Sequence, residues 1–172
     1  VWSMLEAKNG DIYFGTMNHG IIHYSYVTNQ FTTYKNNQDG DKSPNNNIGW
    51  SLLEDDKGRI WVGTNRGINV FDPATKRFSY YQHKPKDANS LSSDQANWFY
   101  KDSKGRIWIC TVDGGLSLYQ PQSDSFTNIG ALHGLKNNDL QAMVEDNNGL
   151  LWLTNTNNIT SLNPDTLEMH SY

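Results

Sequence analysis

The chain has 172 residues, 36% hydrophobic, 12% aromatic and 19% charged, with 14 Lys+Arg against 18 Asp+Glu, a formal charge of −4 and one cysteine. A mean hydropathy of −0.72 is polar for a packed chain, yet 6 Trp, 9 Tyr and 6 Phe carry far more buriable surface than a disordered segment. There is no basic excess to neutralise a phosphate backbone, the lone Cys110 excludes an internal disulfide framework and a multi-cysteine zinc site, and no apolar run approaches the roughly 18 residues of a membrane helix.

From the N-terminus, Met4-Leu5-Glu6-Ala7-Lys8-Asn9-Gly10-Asp11-Ile12-Tyr13-Phe14-Gly15-Thr16 reads as two short strands around a glycine turn. A third strand follows at Gly20-Ile21-Ile22-His23-Tyr24, and a fourth carries Phe31. The phrase then returns at 52–64, 99–111 and 143–155. The turn glycines Gly10, Gly58, Gly105 and Gly149 are spaced 48, 47 and 44 residues apart, and Phe31, Phe78, Phe126 and Met169 are spaced 47, 48 and 43. Both ends of the unit therefore repeat together. No helical periodicity competes.

Each unit reads as a four-stranded antiparallel meander, and one such sheet cannot bury both faces alone, so copies must stack. That period and strand count predict an all-β chain of β-propeller blades at 1–34, 48–81, 95–129 and 139–172, forming one segment over 1–172 of a larger propeller. Polar connectors run through 35–47, 82–94 and 130–138. The row Tyr13, Trp61, Trp108, Trp152 places one aromatic per blade between sheets. Each such ring buries roughly 150–250 Å², a gross ~4–6 kcal/mol. Glu6, Glu54 and Glu145, with Asp55, Asp102 and Asp146, recur at the hairpin turn and read as turn and edge residues.

Function is expected on the face built by the loops between second and third strands and by the connectors, where a rigid frame presents variable tips. Those loops contribute Asn18, His19, Asn65, Arg66, Asp113, Asn155 and Asn157 as candidate ligand-binding residues. The start of the first strand adds Trp2, Trp50 and Trp98. Indole rings beside Asn, Gln and Arg suit stacking on a sugar ring with its hydroxyls bonded around it, and channel packing is the other reading of the same rings. His19 and His23 do not share a helical face, and Asp39-Gly40-Asp41 lacks the spaced ligands of a calcium loop, so no metal is expected. No serine-nucleophile elbow, phosphate loop or dinucleotide fingerprint occurs, so no cofactor is expected.

With Leu52-Leu53-Glu54-Asp55-Asp56-Lys57-Gly58-Arg59-Ile60-Trp61-Val62-Gly63-Thr64-Asn65-Arg66-Gly67-Ile68 in view, the chain resembles the two-component regulator propeller repeats of the periplasmic sensor region of bacterial hybrid two-component systems. Asn89-Ser90-Leu91-Ser92-Ser93-Asp94 and Gly134-Leu135-Lys136-Asn137-Asn138 also resemble the family's connectors. Copy four departs most, with Thr154 where Gly15 and Gly63 stand and Asn158 where Gly20, Gly67 and Gly115 stand; Asn tolerates positive φ, so the bend is expected to survive. The resemblance implies periplasmic, non-enzymatic sensing of an oligosaccharide-like ligand, coupled to a kinase that lies outside this chain. A chain opening on Val1 reads as a fragment of such a protein, with self-association through its end blades or as a homodimer, and with neither nucleic acid nor membrane as partner. Two alternatives stay open. One is a protein-interaction scaffold; the other is a polysaccharide hydrolase or lyase, for which Asp113 and Asp139 are the acidic candidates.

Overall fold

The computed structural model describes residues 1–172. It contains sixteen strands in four antiparallel sheets, each a meander in chain order. The first sheet is β1 (Ser3–Glu6), β2 (Ile12–Gly15), β3 (Ile21–Ser25) and β4 (Gln30–Tyr34), and the second is β5 (Ser51–Glu54), β6 (Ile60–Thr64), β7 (Gly67–Asp72) and β8 (Arg77–Tyr81). The third is β9 (Ala96–Lys101), β10 (Ile107–Thr111), β11 (Gly115–Gln120) and β12 (Ser125–Ile129), and the fourth β13 (Ala142–Glu145), β14 (Leu151–Thr154), β15 (Ile159–Leu162) and β16 (Met169–Ser171). Two single 3-10 turns, Gly40–Lys42 and Ala131–His133, are the only helical residues. The chain divides into two compact units of two sheets each, Val1–Tyr81 and Gln82–Tyr172.

One carboxylate organises the hairpin turn in copies two, three and four. Asp55, Asp102 and Asp146 accept the indole N–H of the aromatic six residues on, at 3.0, 2.9 and 2.8 Å for Trp61, Trp108 and Trp152. The other carboxylate oxygen takes two backbone N–H groups of the same turn, as Asp102 Oδ1 does from Lys104 at 3.0 Å and Arg106 at 2.9 Å. In copies two and three an arginine completes the group, Arg59 Nε reaching Asp55 at 2.7 Å and Arg106 Nε reaching Asp102 at 2.6 Å, with each guanidinium near its Trp ring. The turn is thereby closed and the ring oriented by one side chain. These acids are turn residues, as their positions implied, but they also hold the core.

Copy one lacks both halves of the pair. Ala7 stands where the aspartate would be, and the Tyr13 hydroxyl is buried with no hydrogen-bond partner. Burial pushes its pKa well above the ordinary phenol value. Tyr13 stacks instead on His23 (4.6 Å between centroids), which bonds Asp11 at 2.9 Å, and a cavity of about 230 Å³ lies beside Ala7, Tyr13 and Ile60. Trp152 differs from the row in another way, being only half-buried and stacked on Tyr172 at 5.7 Å.

Within each unit the sheets stack through the aromatic row and its neighbours. In the first unit Tyr13 and Ile21 meet Ile60, Val62, Phe71 and Phe78, and in the second Trp108 and Cys110 meet Met143, Leu151 and Leu153. A polar clasp repeats at the rim: Glu54 Oε2 accepts the Lys8 N–H at 2.9 Å, and Glu145 accepts both the N–H and hydroxyl of Ser103 at 2.7 and 2.6 Å. Glycine is required where the first unit's sheets approach most closely, because a side-chain carbon on Gly15 would lie 2.4 Å from the Gly49 carbonyl oxygen.

The bend at Asn158 survives by a different route from the one expected. Asn158 is not left-handed; the side chain of Asn155 closes the turn, accepting the N–H groups of Asn157 and Asn158 at 2.8 and 2.9 Å. Asn155 thus does what Thr16, Thr64 and Thr111 do in the other copies, whose hydroxyls bridge the same turn.

Replacing Ala7 by Asp together with Tyr13 by Trp rebuilds the missing pair, and the double variant is expected to gain about 1 kcal/mol, roughly 2–4 °C in thermal midpoint. Asp102→Ala, which strands a buried indole N–H and Arg106, is expected to lose about 3 kcal/mol. Calorimetric melting checks both, and equal midpoints for the double variant and the parent would refute the pairing.

Candidate functional site

In the first unit the ends of the inner strands place two indoles together. Backbone bonds from Trp2 N–H to the Gly15 carbonyl and from Trp50 N–H to the Gly63 carbonyl, at 2.8 and 2.9 Å, set both residues just ahead of β1 and β5. Their rings meet edge to face at 5.4 Å. Trp50 donates its indole N–H to Asn65 Oδ1 at 2.6 Å, so three sequence-level candidates form one corner. Trp2 remains 60% exposed, which leaves an apolar ring face open to solvent beside polar groups.

The loop carrying Asn65 and Arg66 is held from both sides. The Arg66 N–H bonds Thr64 Oγ1 at 2.9 Å, and its carbonyl accepts Asn45 Nδ2 at 3.0 Å. Asn45 in turn exchanges two bonds with the buried Asn69 of β7, at 2.8 and 3.0 Å, tying the 35–47 connector to the sheet. Elsewhere along this polar connector Asp41 pairs with Arg77 and the Tyr80 hydroxyl donates to the Gly40 carbonyl. Asn18 and His19 lie exposed on the β2–β3 turn, where only the His19 backbone N–H is engaged, by Thr16 Oγ1 at 2.9 Å.

In the second unit Trp98 is 41% exposed on β9, opposite Cys110 and next to a register shift. Asp113 sits at the β10–β11 turn with φ of 61° and an exposed carboxylate. Asn157 is exposed, whereas Asn155 is spent on its own turn. Asp139, the other acidic candidate, accepts Gln141 Nε2 at 3.0 Å. Cys110 is no nucleophile, since burial pushes its thiol up to about 12. On the hairpin side, a recess between Ser103, Arg106 and Asp165 is lined by ion pairs, Lys104 and Arg106 to Asp165 at 2.6 and 2.8 Å. The arrangement offers rings, amides and unengaged polar tips for binding; no group of three His, Cys, Asp or Glu side chains is placed to hold a metal.

Residues 42–66 and 90–113 match the family described as two component regulator propeller. Among solved structures, the extracellular domain of a protein described as a hybrid two component system from B. thetaiotaomicron is 25% identical at a TM-score of 0.79, over 97% of this chain and 22% of that one. An auxiliary nutrient binding protein from Bacteroides ovatus is 14% identical at a TM-score of 0.67, over 100% of this chain and 41% of that one. A virginiamycin B lyase from Staphylococcus aureus is 14% identical at 0.71, over 98% of this chain and 54% of that one. At such identities the last two share the fold alone. No curated protein sequence matches the chain.

Asn65→Ala should release the Trp50 ring: stability should fall by only about 0.5–1 kcal/mol, while the Trp50 indole proton resonance moves upfield towards its free position. An unmoved resonance would show that the two side chains do not bond.

Proposed function

Because the chain carries repeats of the two-component regulator propeller family, we propose that it is a ligand-recognition segment of a sensor lying outside the cytoplasm, in the periplasm, and that it takes an oligosaccharide without altering it. The observation that carries this reading is the Trp2–Trp50–Asn65 corner, which offers an open indole face for the C–H face of a sugar ring and the exposed Asn65 amide and Arg66 for its hydroxyls. The extracellular setting of the hybrid two-component relative supports it. The chain spans 22% of the length of that relative. No helix is long and apolar enough to cross a membrane.

Titration calorimetry with a panel of neutral and acidic oligosaccharides tests this. Saturable heat is expected from the parent chain, weakened about tenfold or more in Trp50→Ala and in Arg66→Ala, a loss of about 1.4 kcal/mol. Silence across the panel favours a protein-docking scaffold, and release of shortened or unsaturated products favours an enzyme.

Exposed apolar side chains on the first and fourth sheets support self-association as the partner mode. In β5 and β13, Leu52 and Met143 pack on the preceding sheet, but the equivalent Met4 of β1 is 71% exposed. Val144 of β13 is 57% exposed. The clasp is likewise half-built at each end, with the Glu6 carboxylate and the Asn147 N–H unengaged. A second copy brings these halves together head to tail. Sedimentation equilibrium is expected to show association that Met4→Glu abolishes, and a monomer at every concentration would end this part of the reading.

A further inference from the structure

The second unit holds an open groove of about 440 Å³, inside the range of small-molecule sites. Its walls are the connector at His83, the turn at Asp113 and Gly114, and the run from Gly130 through His133 to Asn138. The connector wall is rigidly braced. Asn128 Nδ2 donates to the carbonyls of Ala88 and Ser90 at 3.1 and 2.8 Å, Ser90 Oγ accepts the Lys84 N–H at 2.9 Å, and Ser92 bonds Ser117 of β11. A wall fixed before binding loses little entropy when a ligand arrives.

The lining supplies donors and acceptors in mixture. A carbonyl can only accept, so the 2.8 Å contact from His83 Nδ1 to the Leu91 carbonyl puts the proton on Nδ1 and leaves Nε2 of the neutral ring as an acceptor. His133 is arranged the other way: its Nδ1 accepts the Gly130 N–H at 3.3 Å, so Nε2 carries the proton and donates. The exposed Asp113 carboxylate adds an acceptor, and Lys84 adds a donor. Leu132, fully exposed at 100%, provides an apolar edge.

Asn138 is the member whose bonding capacity is unmet. Its Oδ1 is buried without a donor, so its lost hydration is not offset by any hydrogen bond. A side-chain carbon at Gly130 would stand 3.4 Å from that oxygen, so the amide lies directly against the glycine on the groove wall. Buried orphans retained in a fold are places to look for a missing partner.

We propose that this groove is a subsite for an uncharged sugar residue, with Asp113, Asn138 and His133 as its hydrogen-bonding groups. Hydroxyls donate and accept at once, which is what interleaved acceptors and donors require, and the Lys84 ammonium disfavours a cation. Seating a hydroxyl over Gly130 gives Asn138 Oδ1 its donor, and the C–H face of the ring covers Leu132. This rests on the oligosaccharide reading above and adds a second contact region in the second unit, formed by residues other than the Trp2–Trp50 corner.

Calorimetric titration with short neutral oligosaccharides, on the parent chain and on Asn138→Ala, Asp113→Asn and Trp50→Ala, tests it. Asn138→Ala and Asp113→Asn are each expected to weaken binding about tenfold, while Asn138→Ala leaves the thermal midpoint equal or higher because an unsatisfied group is removed. Full affinity in both groove variants, with loss only in Trp50→Ala, overturns the groove and leaves the sensor reading standing. A preference for acidic or amino sugars overturns its uncharged class. No heat from the parent chain with any sugar removes the sensor reading and the groove with it.

Discussion

The pairing of an aspartate with an indole six residues later is the contact on which three of the four blades depend. A carboxylate at the start of a tight turn can accept several donors at once, and here it receives turn amides on one oxygen and a ring N–H on the other. The turn therefore cannot open without stranding a buried indole, and the indole cannot leave without uncovering the turn. Local hairpin geometry and long-range sheet stacking are thus joined in a single residue. The first blade shows the same logic in reverse: having Ala7 in place of the acid, it carries Tyr13 in place of the indole, and a cavity and an orphan hydroxyl mark the site.

Stacking is reinforced by groups that look unremarkable in the repeat. Glu54 and Glu145 clasp the turn of the preceding sheet, and Asn69 and Ser117, buried in β7 and β11, fix the connectors that run over them. Satisfied buried polar groups of this kind specify one register where apolar packing alone would tolerate slippage. The consequence for binding is that the loop face consists of short, braced segments, so Asn65, Arg66 and Asp113 project from a stiff frame.

Much of this was legible from the chain alone because repetition is a strong signal. The period, the strand count, the turn glycines and the aromatic row all follow from the likeness of the four phrases, and the strands fall where the alternation put them. The partner of each indole was less visible, although the constant spacing from Asp55 to Trp61, Asp102 to Trp108 and Asp146 to Trp152 carried it. Asn155 looked like a free loop amide because its alignment with Thr16, Thr64 and Thr111 gives no hint that an amide oxygen can replace a hydroxyl at that turn. Asn138, His83 and His133 could not be singled out, since they lie in connectors that do not repeat.

Sequence by itself determined the architecture: short-range patterns of apolar residues and glycines, restated four times, admit only four-stranded sheets that must stack to hide their rings. Tertiary structure alone decided which polar groups remain available. Whether an amide is consumed by its own turn, as in Asn155, paired with an indole, as in Asn65, or left without a donor, as in Asn138, depends on contacts between segments many residues apart. Hydrogen bonds are directional and short, so such contacts are settled by three-dimensional placement, which one-dimensional spacing does not encode.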